Sequence, residues 1–219
     1  MDQAIRILLR LEVRGQRVMG TRRVLVTGCS SGIGLAVAAR LAKDELRRFK
    51  VVATMRDIGK RGPLEKAAGA SLNKTLEIKQ LDVCCEDSIK ECVNSLPDRR
   101  VDVLVNNAGV GMIGPLECQS IAAMREVFDT NFFGLARLVK EVLPGMKRQQ
   151  SGHIVVMSSV MGIQGAFLWV FVKLQKTETR RLIKGFFISD STQGFCSMTS
   201  TLPLNLLWKD FVKVWQCRQ

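Results

Sequence analysis

Residues 23–42 read RVLVTGCSSGIGLAVAARLA, and the fold turns on this stretch. The run from Arg23 to Thr27 is dense in Val and Leu, as a buried strand requires. It passes into Thr27-Gly28-Cys29-Ser30-Ser31-Gly32-Ile33-Gly34 and then into a helical pattern from Leu35 to Ala42. Glycines at such a junction let the backbone turn sharply and approach a pyrophosphate. The helix that follows offers unpaired N–H groups and the positive end of its dipole. The spacing is G-x-x-x-G-x-G, not G-x-G-x-x-G, and a ligand-free strand-to-helix turn would read the same way. Its place after the first strand of an alternating pattern favours a dinucleotide.

Working outward, strand-like runs recur at Lys50 to Thr54, Leu76 to Leu81, Val101 to Asn106 and His153 to Ser158. Helical patterns separate them. The clearest starts at Ser120 as N-cap, carries Ile121, Met124, Val127, Phe128, Phe132, Leu135, Leu138 and Val139 at helical spacing, and runs to Pro144-Gly145. Strands that are continuous apolar runs, alternating with helices, imply a parallel sheet covered on both faces. The expected fold is a doubly wound α/β sheet of Rossmann type. The pattern breaks after Gly165, so residues 21–165 are read as an incomplete dinucleotide-binding domain, truncated after the fifth strand. Residues 1–20 are read as an N-terminal extension and residues 166–219 as an aberrant tail.

Composition narrows the function classes. The 219 residues carry a net charge of +13, yet most of the excess sits at the ends, where residues 1–23 hold six Arg against Asp2 and Glu12 and residues 167–219 hold eight Lys or Arg against three acids. The middle has no basic helix with interleaved aromatics, which argues against nucleic-acid binding. The 7 Cys are an odd number with no C-x-x-C, so neither a disulfide framework nor a metal site is expected. Reduced thiols suit a cytoplasmic location. The basic, apolar ends leave peripheral membrane contact open. The single His, His153, reads as a strand-entry residue.

The cofactor type follows from the end of the second strand. NAD binders place an acid there, about 20 residues past the glycines, to hold the ribose 2′-hydroxyl. This chain has Thr54-Met55-Arg56-Asp57. Arg56 would pair bidentately with a 2′-phosphate, with Ser30 adding a hydrogen bond. NADP is therefore preferred. Asp57, one residue late, keeps NAD as the lesser alternative.

Five motifs in order resemble the short-chain dehydrogenases/reductases: the glycine turn, Asp82-Val83, Asn106-Asn107-Ala108-Gly109, Asn131 and Ser158-Ser159. Within that family, Cys29-Ser30-Ser31, Val52 to Asp57 and Asn131-Phe132-Phe133-Gly134 look most like a branch acting on retinoids and steroids. The resemblance covers roughly residues 22–165. It implies that Gly28, Ser30, Ser31, Gly32, Ile33 and Gly34 hold the cofactor phosphates. It also implies that Asp82 and Val83 contact the adenine ring, and that Asn107, Ala108 and Gly109 line the ribose. Asn131 would hold a water in a proton relay, and Ser159 would hydrogen-bond the carbonyl of a small lipophilic substrate. The family is usually homodimeric, through helices that include one disrupted here.

In that family a Tyr delivers the proton and a Lys four residues later lowers its pKa. This chain contains no Tyr, and the expected position holds Val172. Neither Ser159 nor Asn131 can replace a phenol tuned by a cation. The chain is expected to be inactive as written, with non-catalytic dinucleotide binding, or partnership with a full-length relative, as the alternative. Codons for Met198 to Asp210, read from the third base of each, can spell D-V-Y-A-A-S-K-F-A-L-E-G. The missing helix thus fits residues 198–217 in another reading frame, and residues 166–196 fit translated intron. Loss of the later strands is expected to leave His153 to Met157 as an exposed apolar edge.

Overall fold

The computed structural model describes residues 20–112, 118–157 and the backbone of 212–216. The strands are β1 (Arg22–Val26), β2 (Phe49–Met55), β3 (Leu76–Gln80), β4 (Val103–Asn106), β5 (His153–Met157) and β6 (Val212–Gln216). The helices are α1 (Gly32–Ala42), α2 (Gly62–Ala68), α3 (Glu86–Asn94), α4 (Ile121–Phe128) and α5 (Leu135–Arg148). The sheet order is β3-β2-β1-β4-β5-β6, with β1 to β5 all parallel. This is the doubly wound sheet expected, and its order reverses between β1 and β4. That is where ligands bind in open α/β sheets.

Strand register explains the apolar runs. Val52, Leu25, Leu104 and Ile154 stand side by side across β2, β1, β4 and β5. They pack on one face against Ile89 and Val93 of α3 and Leu138, Val142 and Met146 of α5. Ala53, Val26, Val105 and Val155 form the alternate row and pack on the other face with Val37 and Leu41 of α1 and Leu64 of α2. Because successive strand residues point to opposite faces, a strand covered on both sides must be apolar throughout. His153 begins β5, and its N–H donates to the Asp102 carbonyl at 3.0 Å, as a strand-entry residue.

Two expectations need correction. The long helix from Ser120 is not one regular helix. Ser120 does cap it, its hydroxyl accepting from the Ala123 N–H at 3.0 Å, and it runs past Pro144 to Arg148. Between α4 and α5, however, lies a π-turn, Asp129–Gly134. The wider π-turn shifts the side-chain register, so the apolar stripe divides. No residue of α4 is buried and Ile121 is 63% exposed, whereas α5 buries Leu138, Val142 and Met146.

The second correction concerns the open edge. The parallel sheet ends with the fifth strand, as expected, but β5 is not left as an exposed edge. β6 pairs antiparallel with it, Val155 opposite Val214. An unpaired strand edge attracts any β-prone segment, and antiparallel pairing needs no crossover of fixed hand. Val212-Lys213-Val214-Trp215-Gln216 is rich in strand-forming residues. Residues 1–19, Ser158, Ser159, Val172 and the rest of the tail lie outside the described residues.

Deleting residues 212–219 should leave the β5 amides on that edge unprotected. Hydrogen exchange at 153–157 is expected to speed up in the shortened chain, with increased self-association at equal concentration. Unchanged exchange would show that β6 does not cover this edge.

Candidate functional site

Parallel strands end on the same side, so the turns after β1, β2, β3 and β4 gather at one edge of the sheet. The turn after β1 is fixed first. Cys29 N–H donates to the Thr54 carbonyl at 2.9 Å, and the Thr54 hydroxyl donates to the Val26 carbonyl at 3.1 Å. Gly28 has φ +70°, and a Cβ there would stand 2.8 Å from Ala108 Cα. At Gly34 a Cβ would stand 2.3 Å from the Gly28 carbonyl oxygen and 2.4 Å from Asn107 Nδ2. Both positions demand glycine, one for conformation and closeness, the other for closeness alone.

Asn107 clasps the turns after β1 and β4 together. Its Nδ2 donates to the carbonyls of Thr27 at 3.0 Å and Gly28 at 3.1 Å. In return the Thr27 hydroxyl oxygen accepts from the N–H groups of Asn107 at 3.0 Å and Ala108 at 2.9 Å. Thr27 is 1% exposed and was not singled out from sequence. The only signal was a hydroxyl residue ending an otherwise apolar strand.

The N-terminus of α1 lies open at this crevice. Ser31 is its N-cap in extended conformation, but its hydroxyl makes no capping bond. Ser31, Gly32 and Ile33 are exposed, Ser30 is half-buried and Gly34 is buried. The first N–H groups of a helix have no intrahelical acceptor, so this end presents donors to an anion.

At the end of β2, Arg56 and Asp57 are both exposed, but they differ in engagement. Asp57 caps the short turn Ile58–Lys60, its Oδ1 accepting from the Gly59 N–H at 2.9 Å. The Arg56 backbone is held from β3, its carbonyl accepting from Gln80 Nε2 at 3.1 Å. The Arg56 guanidinium makes no ion pair among the described residues.

The turn after β3 is closed by Asp82, whose Oδ1 accepts from the Cys84 N–H at 2.9 Å and whose N–H donates to Ser88 Oγ at 3.0 Å. Val83 is buried beside it. Asn131, in the π-turn, is 7% exposed and grips the peptide of Val110. Its Oδ1 accepts from the Val110 N–H and its Nδ2 donates to the Val110 carbonyl, both at 2.8 Å. Its side chain thus braces the loop that carries Gly109, where a Cβ would lie 3.3 Å from Asn131 Oδ1. Ser159, expected at the substrate carbonyl, lies outside the described residues. Among the described residues, no cluster could hold a metal ion.

Two cysteines near this framework are buried and poorly acidic. Burial pushes the Cys29 thiol up to about 12 and the Cys92 thiol up to about 11. Burial also raises the Cys84 thiol, against a hydrogen bond from Thr130 that lowers it.

Glycines that admit close approach, an open helix N-terminus and a crevice at the switch point define a sheet of Rossmann type, the architecture in which dinucleotides bind at such a crevice. The short chain dehydrogenase family model matches residues 22–171, and the chain belongs to that family. It is 57% identical to retinol dehydrogenase 8 of Bos taurus over 172 residues, covering 78% of this chain and 54% of that protein. It is 46% identical to estradiol 17-beta-dehydrogenase 1 of Rattus norvegicus over 149 residues, covering 67% of this chain and 43% of that protein. Among solved structures, a variant actinorhodin polyketide ketoreductase with NADPH matches with a TM-score of 0.60 and 33% identity. That match covers 66% of this chain and 56% of the other. The closed form of serine dehydrogenase complexed with NADP+ matches with a TM-score of 0.58 and 32% identity, covering 74% and 67%. The chain spans about half the length of the curated relatives it matches. It is an oxidoreductase-family chain related to retinol and 17-beta-hydroxysteroid dehydrogenases.

Thr27→Val should destabilise the fold by about 1–3 kcal/mol, because two part-buried N–H groups lose their acceptor. Urea denaturation would measure this, with Thr27→Ser close to wild type. A loss under about 0.5 kcal/mol would contradict the clasp.

The folded Cys29 thiol binds its proton more tightly than the unfolded one, whose ordinary value is 9.0. Its contribution is therefore full below pH 9 and falls away as pH rises toward 12. Cys29→Ala should flatten the alkaline limb of the stability profile. Native alkylation should reach the exposed Cys85 and Cys118 before Cys29 or Cys92.

Proposed function

We propose that this chain binds NADP(H) in the crevice between β1 and β4, with NAD(H) bound more weakly. The observation that carries the preference is the division of labour at the end of β2. Asp57, the acid that could hold an unphosphorylated ribose, spends its carboxylate on the Gly59 N–H, while the Arg56 guanidinium makes no ion pair among the described residues. A planar guanidinium matches phosphate oxygens bidentately, and a committed carboxylate competes poorly for a ribose hydroxyl.

The residues present fit the cofactor. Gly28 and Gly34 remove side-chain bulk where a pyrophosphate must approach, and Ser30, Ser31 and the α1 N-terminus supply donors. Asp82 and Val83 would flank the adenine ring, and Asn107 to Gly109 would line the ribose. When bound, the nicotinamide supplies or accepts a hydride. By descent the substrate class is a small lipophilic alcohol or carbonyl, retinoid or steroid.

The chemical step needs a proton at the developing alkoxide, and the chain holds no Tyr to give it. Asn131 bonds the Val110 peptide through both side-chain groups, which supports a part in fixing the loop beside the nicotinamide end. The chain is therefore a cofactor-binding member of an oxidoreductase family, without the family's proton donor.

Calorimetry with NADPH and NADH tests the preference. Wild type should bind NADPH at least about tenfold more tightly. Arg56→Ala should erase most of that ratio while leaving NADH affinity within about twofold, since a single charge-assisted phosphate contact contributes roughly 1.5–3 kcal/mol. Equal affinities in wild type would overturn the reading.

A further inference from the structure

We infer that the π-turn Asp129–Gly134 positions the adenine side of the crevice, acting through Gly134 and Thr130 on the Val83-Cys84 turn after β3. This rests on the reading above that Asp82 and Val83 flank an adenine ring.

Gly134 is buried and abuts Val83. A Cβ at 134 would stand 2.8 Å from Val83 Cγ2, 2.9 Å from Val83 Cβ and 3.1 Å from the Val83 carbonyl oxygen. Carbon atoms in contact sit about 3.5–4.0 Å apart, so any side chain there must displace Val83. The backbone at Gly134 is ordinary helix, with φ −60° and ψ −45°. Glycine is thus required for proximity and not for conformation.

Thr130 supplies a second contact with the same turn. Its Oγ1 lies 3.3 Å from Cys84 Sγ in a hydrogen bond for which either the hydroxyl or the thiol can be the donor. Thr130 and Gly134 are four residues apart and meet the β3 turn. Asn131, one residue on from Thr130, meets Val110 in the β4 loop. A single helical turn therefore touches the loops at both ends of the crevice. It is braced internally, because Arg137 Nη2 donates to Asp129 Oδ1 at 2.6 Å and the Arg137 guanidinium lies 6.0 Å from the Phe133 ring centroid.

The Val83-Cys84 turn transmits displacement. Asp82 accepts from the Cys84 N–H through its carboxylate and from the Cys85 N–H through its carbonyl, at 2.9 and 3.1 Å. Moving Val83 or Cys84 therefore moves Asp82 with it. The free turn alone could adopt other spacings relative to β1, and the π-turn removes that freedom.

The test uses the full chain and two probes, NADPH and 2′,5′-ADP, the adenine half alone. Gly134→Ala should weaken 2′,5′-ADP binding roughly tenfold, in line with the cost of overpacking a close contact. NADPH should weaken in parallel, and thermal unfolding without ligand should stay cooperative. Thr130→Val should weaken 2′,5′-ADP roughly threefold, and Thr130→Ser, which keeps the hydroxyl, should restore it. If Gly134→Ala fails to fold, the Thr130 pair decides alone. Wild-type binding of 2′,5′-ADP, with Gly134→Ala or Thr130→Val binding it equally well, overturns this inference and leaves the cofactor reading standing. Failure of wild type to bind either probe overturns both.

Discussion

The clasp between Thr27 and Asn107 is the constraint on which the rest of the crevice depends. Four hydrogen bonds of 2.9–3.1 Å join the turn after β1 to the turn after β4, where the winding of the sheet reverses. At a switch point the connections leave in opposite directions, so nothing in the chain path alone would hold these two turns together. The clasp does so, and it leaves room for no side chain at Gly28 or Gly34. The open N-terminus of α1 is presented to the crevice as a consequence.

The remaining loops are fixed against this pair. Asp82 closes the turn after β3, Asp57 closes the turn after β2, and Asn131 grips the Val110 peptide beyond β4. Each uses a short polar side chain to bind backbone groups that water would otherwise have to satisfy. Asp57, Asn107 and Asn131 thus spend side-chain groups on the scaffold. Among the described residues, the Arg56 guanidinium makes no ion pair and the Ser31 hydroxyl no capping bond.

Much of this was legible in the sequence, for identifiable reasons. The five parallel strands were readable because burial on both faces makes Val24-Leu25-Val26 or Val103-Leu104-Val105 apolar without interruption. The glycine turn was readable because close backbone approach excludes other residues. Asn131 was visible as a polar residue in an apolar helix, but its partner was not, since Val110 is distant in sequence and bonds through its backbone. The π-turn was hidden because Phe128, Phe132 and Leu135 keep helical spacing while the backbone widens. Strand β6 was hidden because strand propensity in a five-residue segment is decided by the open edge it meets, and no local pattern records that edge.

The chain carries no Tyr to deliver the proton that the proposed chemistry needs. Cofactor binding is thus separable from hydride transfer, and one measurement addresses both. Purified chain would be incubated with NADPH carrying deuterium at the transferable nicotinamide position, together with retinal or estrone, and the alcohol product read by mass spectrometry. NADPH should co-elute with the protein while no deuterium appears in retinol or estradiol above the protein-free control. Deuterium transfer by the chain, or failure to retain NADPH, would contradict this reading.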